Sequence, residues 1–173
     1  MIEKELLFNY NNNYRYIFDI TTNNNEEILK ILDDLKEYKQ GVWKNNKRKD
    51  FIEFKINDIP DILKTITSSI IVDNNLPLKL KIKLIEDSEN KIIMKIKANL
   101  INKVANLLLK ILNLKVITTI ENNNNISSKV KIKYIIKSIL PSSIIDIIDK
   151  YIETKLNNNF IAKIDKYLKQ LEK

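Results

Sequence analysis

The sequence predicts an α+β domain in which an antiparallel sheet is followed by one long C-terminal helix. Four stretches, residues 76–84, 92–100, 112–120 and 130–136, place an aliphatic residue at almost every second position. That period is typical of a strand with one buried face. After Pro141, apolar residues recur with helical spacing instead. We therefore expect one sheet with an aliphatic core face, followed by a helix that runs to residue 173.

Lysine dominates the other face of the predicted strands. The outward positions hold Lys79, Lys81, Lys83, Lys95, Lys97, Lys115, Lys129, Lys131, Lys133 and Lys137. We predict that Lys81, Lys83, Lys95, Lys131 and Lys133 form an exposed basic face. Such a face either stays solvated and blocks edge-to-edge aggregation, or binds an anionic membrane surface or an acidic protein partner. Because Arg15 and Arg48 are the only arginines, few forked contacts with phosphate are available, and sequence-specific reading of nucleic acid is not expected.

Composition excludes much chemistry. The 173 residues suffice for one domain with a sizeable core. The absence of cysteine and histidine excludes disulfides, thiol nucleophiles, zinc sites with nitrogen or sulfur ligands, and histidine bases. A single glycine, Gly41, is too few for the loops that hold phosphate groups. We therefore expect a protein that is not an enzyme and that uses neither a metal nor another cofactor.

The formal net charge is +8, which suits anionic partners. The abundance of Asn, Lys and Ile is also typical of an AT-rich genome, so codon bias is an alternative origin of this charge. No run of 18 apolar residues is present, and residues 1–5 do not resemble a signal peptide. The sequence thus predicts a soluble, cytoplasmic protein.

Strands and one helix are predicted for the N-terminal third. Residues 1–13 are expected to form a short strand or arm before the domain proper, which we take as residues 14–173. Alternating apolar residues predict a first strand over 14–20, and polar caps at 22–24 predict a helix that reaches Leu35. A short strand at 41–43, a basic turn at 44–49 and a strand with Ile52, Phe54 and Ile56 on one side then predict a hairpin.

Connections in the remainder have their own signals. Pro60 predicts a short helix over 61–68, and turns are expected at 86–90 and 122–125. The connection 101–111 is too apolar for an ordinary loop, so it is either a helix that plugs one end of the core or a cover over a cavity. Pro141 ends the last strand, which is predicted to run to Leu140, and starts the final helix, which the asparagines at 157–159 would kink.

This order of elements resembles the helix-grip fold of the START-like superfamily, also called SRPBCC, in which a curved antiparallel sheet wraps around a long C-terminal helix. The likeness spans residues 14–173. Within it, residues 59–141 are similar to one branch of the superfamily, in which a short proline-led helix precedes the meander. The resemblance implies a cavity between sheet and helix that binds lipids, sterols or polyketides. Some members are enzymes, but the resemblance supplies no catalytic residue for this chain.

A cavity of that kind would be lined by inward residues, with the Tyr134 hydroxyl as a polar anchor. The predicted lining is Phe54, Leu80, Ile82, Met94, Ile96, Ile132, Tyr134, Ile148 and Ile152. The alternative is that these side chains simply fill the core.

Two functions follow from these alternatives. The chain binds or transports a hydrophobic, lipid-like small molecule, or it is a structural adaptor subunit of a large assembly that docks through its basic sheet face. Three carboxylate pairs, Asp33 with Asp34, Glu86 with Asp87, and Asp146 with Asp149, are interpreted as charges on a wet surface.

Overall fold

The computed structural model describes residues 1–22, 35–55, 75–100 and 114–154, together with residues 157, 162, 165, 168 and 169. The described elements are β1 (Ile2–Tyr10), α1 (Tyr14–Thr22), β2 (Leu35–Lys39), β3 (Lys47–Lys55), β4 (Asn75–Asp87), β5 (Lys91–Leu100), β6 (Leu114–Asn122), β7 (Ser128–Ile136) and α2 (Ser142–Thr154). The strands form one curved antiparallel sheet in the order β1-β7-β6-β5-β4-β3-β2. This confirms the predicted α+β class.

Strand pairing confirms the predicted register. Ile82 lies opposite Ile96, which lies opposite Val116, and Val116 lies opposite Tyr134. Residues directly opposite in an antiparallel pair share a face, so this row runs along the core side of the sheet. The neighbouring row, which begins Lys83 and Lys95, lies on the other side. We refer to these two sides as the inner face and the outer face.

The predicted strand over 14–20 is wrong, because these residues form α1. The Asn13 side chain accepts a hydrogen bond from the Arg15 N–H at 2.8 Å, which caps the helix. Tyr14, Ile17 and Ile20 are buried, three residues apart, whereas Tyr16 is exposed. Ile17 breaks the two-residue alternation and completes the helical one, so the apolar spacing fits a helix better than a strand.

Residues 1–13, expected as a short strand or arm, contain β1, which pairs with β7 at nine consecutive positions from Ile2 to Tyr10. This segment therefore forms one edge of the same sheet.

The predicted hairpin is confirmed, but its strands lie elsewhere. Leu35, expected in a helix, begins β2, and residues 41–43 lie in the connection rather than in a strand. Asn45 and Asn46 adopt positive φ angles of 50° and 61° at the turn, a conformation that asparagine tolerates well. A Cβ at Gly41 would lie 2.0 Å from the Lys49 carbonyl oxygen, so this position requires glycine.

The turns expected around 86–90 and 122–125 are present, and Asn125 adopts a φ of 66° in the second. β7 ends at Ile136 rather than Leu140. The Pro141 carbonyl accepts hydrogen bonds from Ile144 and Ile145 at the start of α2.

Several predicted elements lie outside the described residues. They are most of the helix at 22–35, the helix at 61–68, the connection 101–111 and, apart from Asn157, the kink in the final helix. Within the described part of the chain, no helix is long and apolar enough to cross a membrane.

Candidate ligand-binding site

The inner face of the sheet carries two apolar clusters. The first is covered by α1 and by Leu168 of the C-terminal segment, and it is centred on Ile82, Ile92, Met94, Ile120, Val130 and Ile132. The second lies beneath α2 and consists of Tyr134, Ile136, Ile145 and Ile148. Val116 packs against both clusters, so the apolar surface is continuous across the sheet.

The structure divides the predicted lining residues between these clusters. Ile82, Met94 and Ile132 are buried in the first, with Leu80 and Ile96 half-buried beside them. Tyr134 and Ile148 are buried in the second, and Ile152 packs against it. The side chain of Phe54 lies outside the described part. The grouping fits a lining role, and ligand binding by these residues stays a prediction.

A first polar group joins β1 and β7 to α2. The buried Tyr134 hydroxyl donates to Asp149 Oδ1 at 2.7 Å. The Lys4 ammonium lies 2.6 Å from Asp149 Oδ2 and 2.9 Å from Glu153 Oε2. The hydrogen bond to Asp149 is the largest cause that raises the pKa of Lys4. Burial, followed by the hydrogen bond to Asp149, raises the pKa of Tyr134. We call Lys4, Tyr134, Asp149 and Glu153 the β1 polar group.

The surface interpretation of Asp149 is wrong, because only 6% of this residue is exposed. Its burial is possible because Lys4 supplies a compensating cation from a strand that sequence reasoning had set apart from the domain. Asp146, by contrast, is exposed as predicted. The Tyr134 hydroxyl, which the sequence predicts as the polar anchor for a ligand, already donates a hydrogen bond to Asp149.

A second polar group lies near the opposite edge, on β2 and β3. Arg48 Nη2 donates to Asp50 Oδ2 at 2.8 Å, and the Tyr38 hydroxyl donates to the same oxygen at 2.5 Å. The Gly41 N–H donates to Asp50 Oδ1 at 3.0 Å. The Trp43 ring lies 5.0 Å from the guanidinium carbon. Burial is the largest cause that raises the pKa of Tyr38. We call Tyr38, Trp43, Arg48 and Asp50 the β3 polar group.

Sequence analysis missed this group by placing Arg48 in a basic turn at 44–49. Arg48 and Asp50 are only 2% and 1% exposed. They lie opposite Ile82 and Leu80, on the inner face. The signal was present in the predicted strand, since extending the inward register of Ile52 back by two and four positions reaches Asp50 and Arg48.

The predicted basic face lies on one side of the sheet, but its lysines differ in surroundings. Lys81 and Lys83 are exposed, whereas Lys95, Lys131 and Lys133 are half-buried rather than fully exposed. Lys131 pairs with Glu121 at 2.8 Å, and Lys133 pairs with Glu3. The two partners lie on β6 and β1, so this half of the face is partly neutralised.

Around β4 the lysines face one another instead. Lys83 lies opposite both Lys47 and Lys95, and Lys81 lies opposite both Lys49 and Lys97. Repulsion from Lys97 is the largest cause that lowers the pKa of Lys95. Partial burial and repulsion from Lys115 and Lys83 lower it further. We call Lys47, Lys49, Lys81, Lys83, Lys95, Lys97 and Lys115 the β4 lysine cluster.

Among the described side chains, no three acidic residues come together in the arrangement that a metal ion requires.

None of the known protein-family models matches the sequence, and no curated protein matches it. Solved structures do. A Thalictrum flavum norcoclaurine synthase point mutant, in complex with a transition-state analogue, is 12% identical with a TM-score of 0.58, covering 99% of this chain and 98% of that one. The ZhuI aromatase/cyclase of Streptomyces sp. R1128 is 7% identical with a TM-score of 0.56, covering 99% and 93%. A START superfamily protein from Mycobacterium smegmatis is 10% identical with a TM-score of 0.54, covering 98% of each chain.

These structures and the sheet order define the class of the domain. The chain has the helix-grip fold of START-like proteins, with a curved antiparallel sheet and a C-terminal helix packed on its inner face. The predicted resemblance is thereby confirmed at the level of fold.

Proposed function

We propose that this chain binds an apolar, lipid-like molecule between the inner face of its sheet and the helices that cover that face. The observation that carries the proposal is the continuous apolar inner face, in which Val116 connects the two clusters. Apolar surface of this kind is the usual lining of small-molecule sites. The fold supports the proposal because it is shared with a synthase whose structure contains a bound transition-state analogue.

We further propose that binding occurs without chemical change. The sequence has no histidine or cysteine to serve as a base or nucleophile near neutral pH. The carboxylates of the two polar groups are held by hydrogen bonds and ion pairs, with Asp50 accepting from Arg48 and Tyr38, and Asp149 from Tyr134. A carboxylate occupied in this way is poorly placed to remove a proton from a ligand.

Native mass spectrometry of the gently purified protein tests the proposal. We expect a bound mass that is released on denaturation and that appears in an organic extract. Val116→Phe should lower the bound fraction at least tenfold, because the larger ring fills the junction of the clusters. Ile117→Phe, one residue away on the outer face, is the matched control and should leave the fraction unchanged. A protein without bound molecules that also takes up no added lipid would contradict the proposal.

The second candidate function is docking in a large assembly through the outer face, and the β4 lysine cluster favours it. Like charges directly opposite in a sheet are destabilising, so seven lysines grouped on neighbouring strands suit an acidic protein partner that would neutralise them.

Binding of polyaspartate at increasing salt tests this alternative. Wild type should bind tightly at low ionic strength and lose affinity steeply towards physiological salt. Replacing Lys81, Lys83, Lys95 and Lys97 with Gln should flatten the salt dependence. The control replaces Lys129, Lys131 and Lys133, two of which already pair with glutamate, and should change it less. Equal binding by both variants would remove the argument for a partner.

A further inference from the structure

Arg48 carries unused hydrogen-bond donors in a buried place. Of its three guanidinium nitrogens, Nη2 donates to Asp50 Oδ2 at 2.8 Å and lies 3.4 Å from the Tyr38 hydroxyl. Nε and Nη1 are buried without a hydrogen-bond partner. Buried donors are paired in the great majority of folded proteins because an unmade bond leaves their desolvation uncompensated. These two donors therefore need an explanation.

The surrounding side chains of the β3 polar group do not provide one. Asp50 already accepts from Arg48 Nη2, from the Tyr38 hydroxyl and from the Gly41 N–H. The Trp43 ring stacks over the guanidinium at 5.0 Å and offers no acceptor atom at its edge. Trp43 thus contacts the guanidinium without accepting a hydrogen bond, while Nε and Nη1 have no acceptor within the described part of the chain.

Arg48 also lies beside the apolar surface of the proposed site. It is opposite Ile82, and Leu80, Ile82 and Trp43 all belong to or pack against the first apolar cluster. An apolar chain on that cluster would bring a terminal group towards the guanidinium. The group that satisfies Nε or Nη1 must be a hydrogen-bond acceptor, which excludes an alkyl end or an ammonium. The charged, planar guanidinium favours a carboxylate or carbonyl oxygen as that acceptor.

We infer that Arg48 anchors the ligand, which is an apolar molecule bearing a carboxylate or carbonyl oxygen. The inference rests on the proposed function, since it names the class of molecule that the same site would bind. Both donors are closed to solvent, so binding requires displacement of groups that cover the guanidinium, and Trp43 is the described side chain stacked on it. Trp43 is the only tryptophan, and its fluorescence therefore reports on this displacement.

The wild-type protein allows a direct test because it has only two arginines. With ¹⁵N-labelled arginine, the Nε–H signal of Arg48 can be followed while Arg15, which pairs with Asp87, serves as the internal control. We expect dodecanoate to shift the Arg48 signal and to change Trp43 fluorescence, with Arg15 unmoved. Methyl dodecanoate distinguishes a carbonyl from a carboxylate as the acceptor. Dodecylammonium, which has the same chain length and no acceptor, should leave the Arg48 signal in place.

Paired double variants give a second measurement. Arg48→Met with Asp50→Leu removes both charges of the buried pair and should weaken dodecanoate binding at least tenfold. Arg15→Met with Asp87→Leu makes the same chemical change at the exposed pair and should leave the affinity unchanged. Should the first variant fail to fold, the arginine signals of the wild type still decide the question.

Two results would overturn the inference while leaving the proposed function intact. One is dodecanoate binding without a shift of Arg48 and with equal affinity in both double variants. The other is binding of dodecylammonium but not of dodecanoate or its methyl ester. Failure of all three probes to bind would contradict both this inference and the binding of lipid-like chains.

Discussion

The two polar groups of the inner face contain the same three kinds of side chain but are completed differently. Each joins a cation, an aspartate and a tyrosine hydroxyl. In the β1 polar group, Lys4 reaches two carboxylates, Asp149 and Glu153. In the β3 polar group, Arg48 has one carboxylate and retains two buried donors without partners among the described residues.

This difference indicates two roles. The β1 polar group connects parts of the fold, whereas the β3 polar group is an incomplete site. The β1 polar group fixes α2 against the sheet through Asp149, and none of its buried side-chain polar atoms lacks a hydrogen-bond partner. The β3 polar group is held together within one hairpin and has capacity left over. Four predictions test this contrast, from the largest expected effect to the smallest.

Removing the cation of the β3 polar group should have the largest effect. Arg48→Met leaves Asp50 buried and without its compensating charge, and we expect a loss of about 3 to 5 kcal/mol in the free energy of unfolding. The Arg48→Met, Asp50→Leu double variant should recover most of this loss because no unpaired charge remains. Urea denaturation measures both, and a double variant as unstable as the single one would contradict a role for the charge imbalance.

Loss of a tyrosine hydroxyl should be the next largest effect. Tyr134→Phe removes a buried hydrogen bond to the Asp149 carboxylate and should cost about 1.5 to 3 kcal/mol. Tyr16→Phe, at an exposed position on α1, is the control and should be close to neutral. Thermal unfolding followed by circular dichroism would separate the two, and an equal effect would argue against the network.

Alkaline pH should weaken both polar groups together. The pKa values of Tyr38, Tyr134 and Lys4 are all raised in the folded chain. A group whose folded pKa is raised contributes fully below its unfolded pKa, which is about 10 for both residue types, and loses that contribution as the pH rises through the folded value. The urea midpoint should therefore fall above about pH 10. Tyr134→Phe should show a shallower fall, and a parallel pH dependence in both proteins would contradict the assignment.

Single lysines on the outer face should have the smallest effects. Lys131→Gln removes an ion pair with Glu121 near the surface and should lower the stability only slightly. Lys83→Gln removes repulsion from Lys47 and Lys95 and should be neutral or stabilising by about 0.2 to 1 kcal/mol. Denaturation at low salt is the measurement, and a cost for Lys83→Gln as large as that for Lys131→Gln would contradict the clustering.

Regular alternation made the meander of β4 to β7 predictable, because one aliphatic face repeats over strands adjacent in sequence. The β1 polar group was not predictable in the same way. Its members Lys4 and Asp149 are distant in sequence, and each alone resembles a surface charge. Only the pairing of β1 with β7 places Lys4 opposite Tyr134. Arg48 and Asp50 were within reach of the sequence, but a cluster of basic residues around two turn-forming asparagines concealed the inward register of β3.

The pairing of β1 with β7 also has a consequence for folding. The strands from β2 to β7 each pair with a neighbour in chain order, whereas Ile2 must find Ile136. Closing so long a loop carries a large entropic cost, and contacts of this range slow folding. During synthesis β1 leaves the ribosome before β7 and waits several seconds for this partner, at about 5–20 residues per second. We therefore expect β1 to join the sheet after the other described strands, although it is made before them, and Lys4 to reach Asp149 only at that final step.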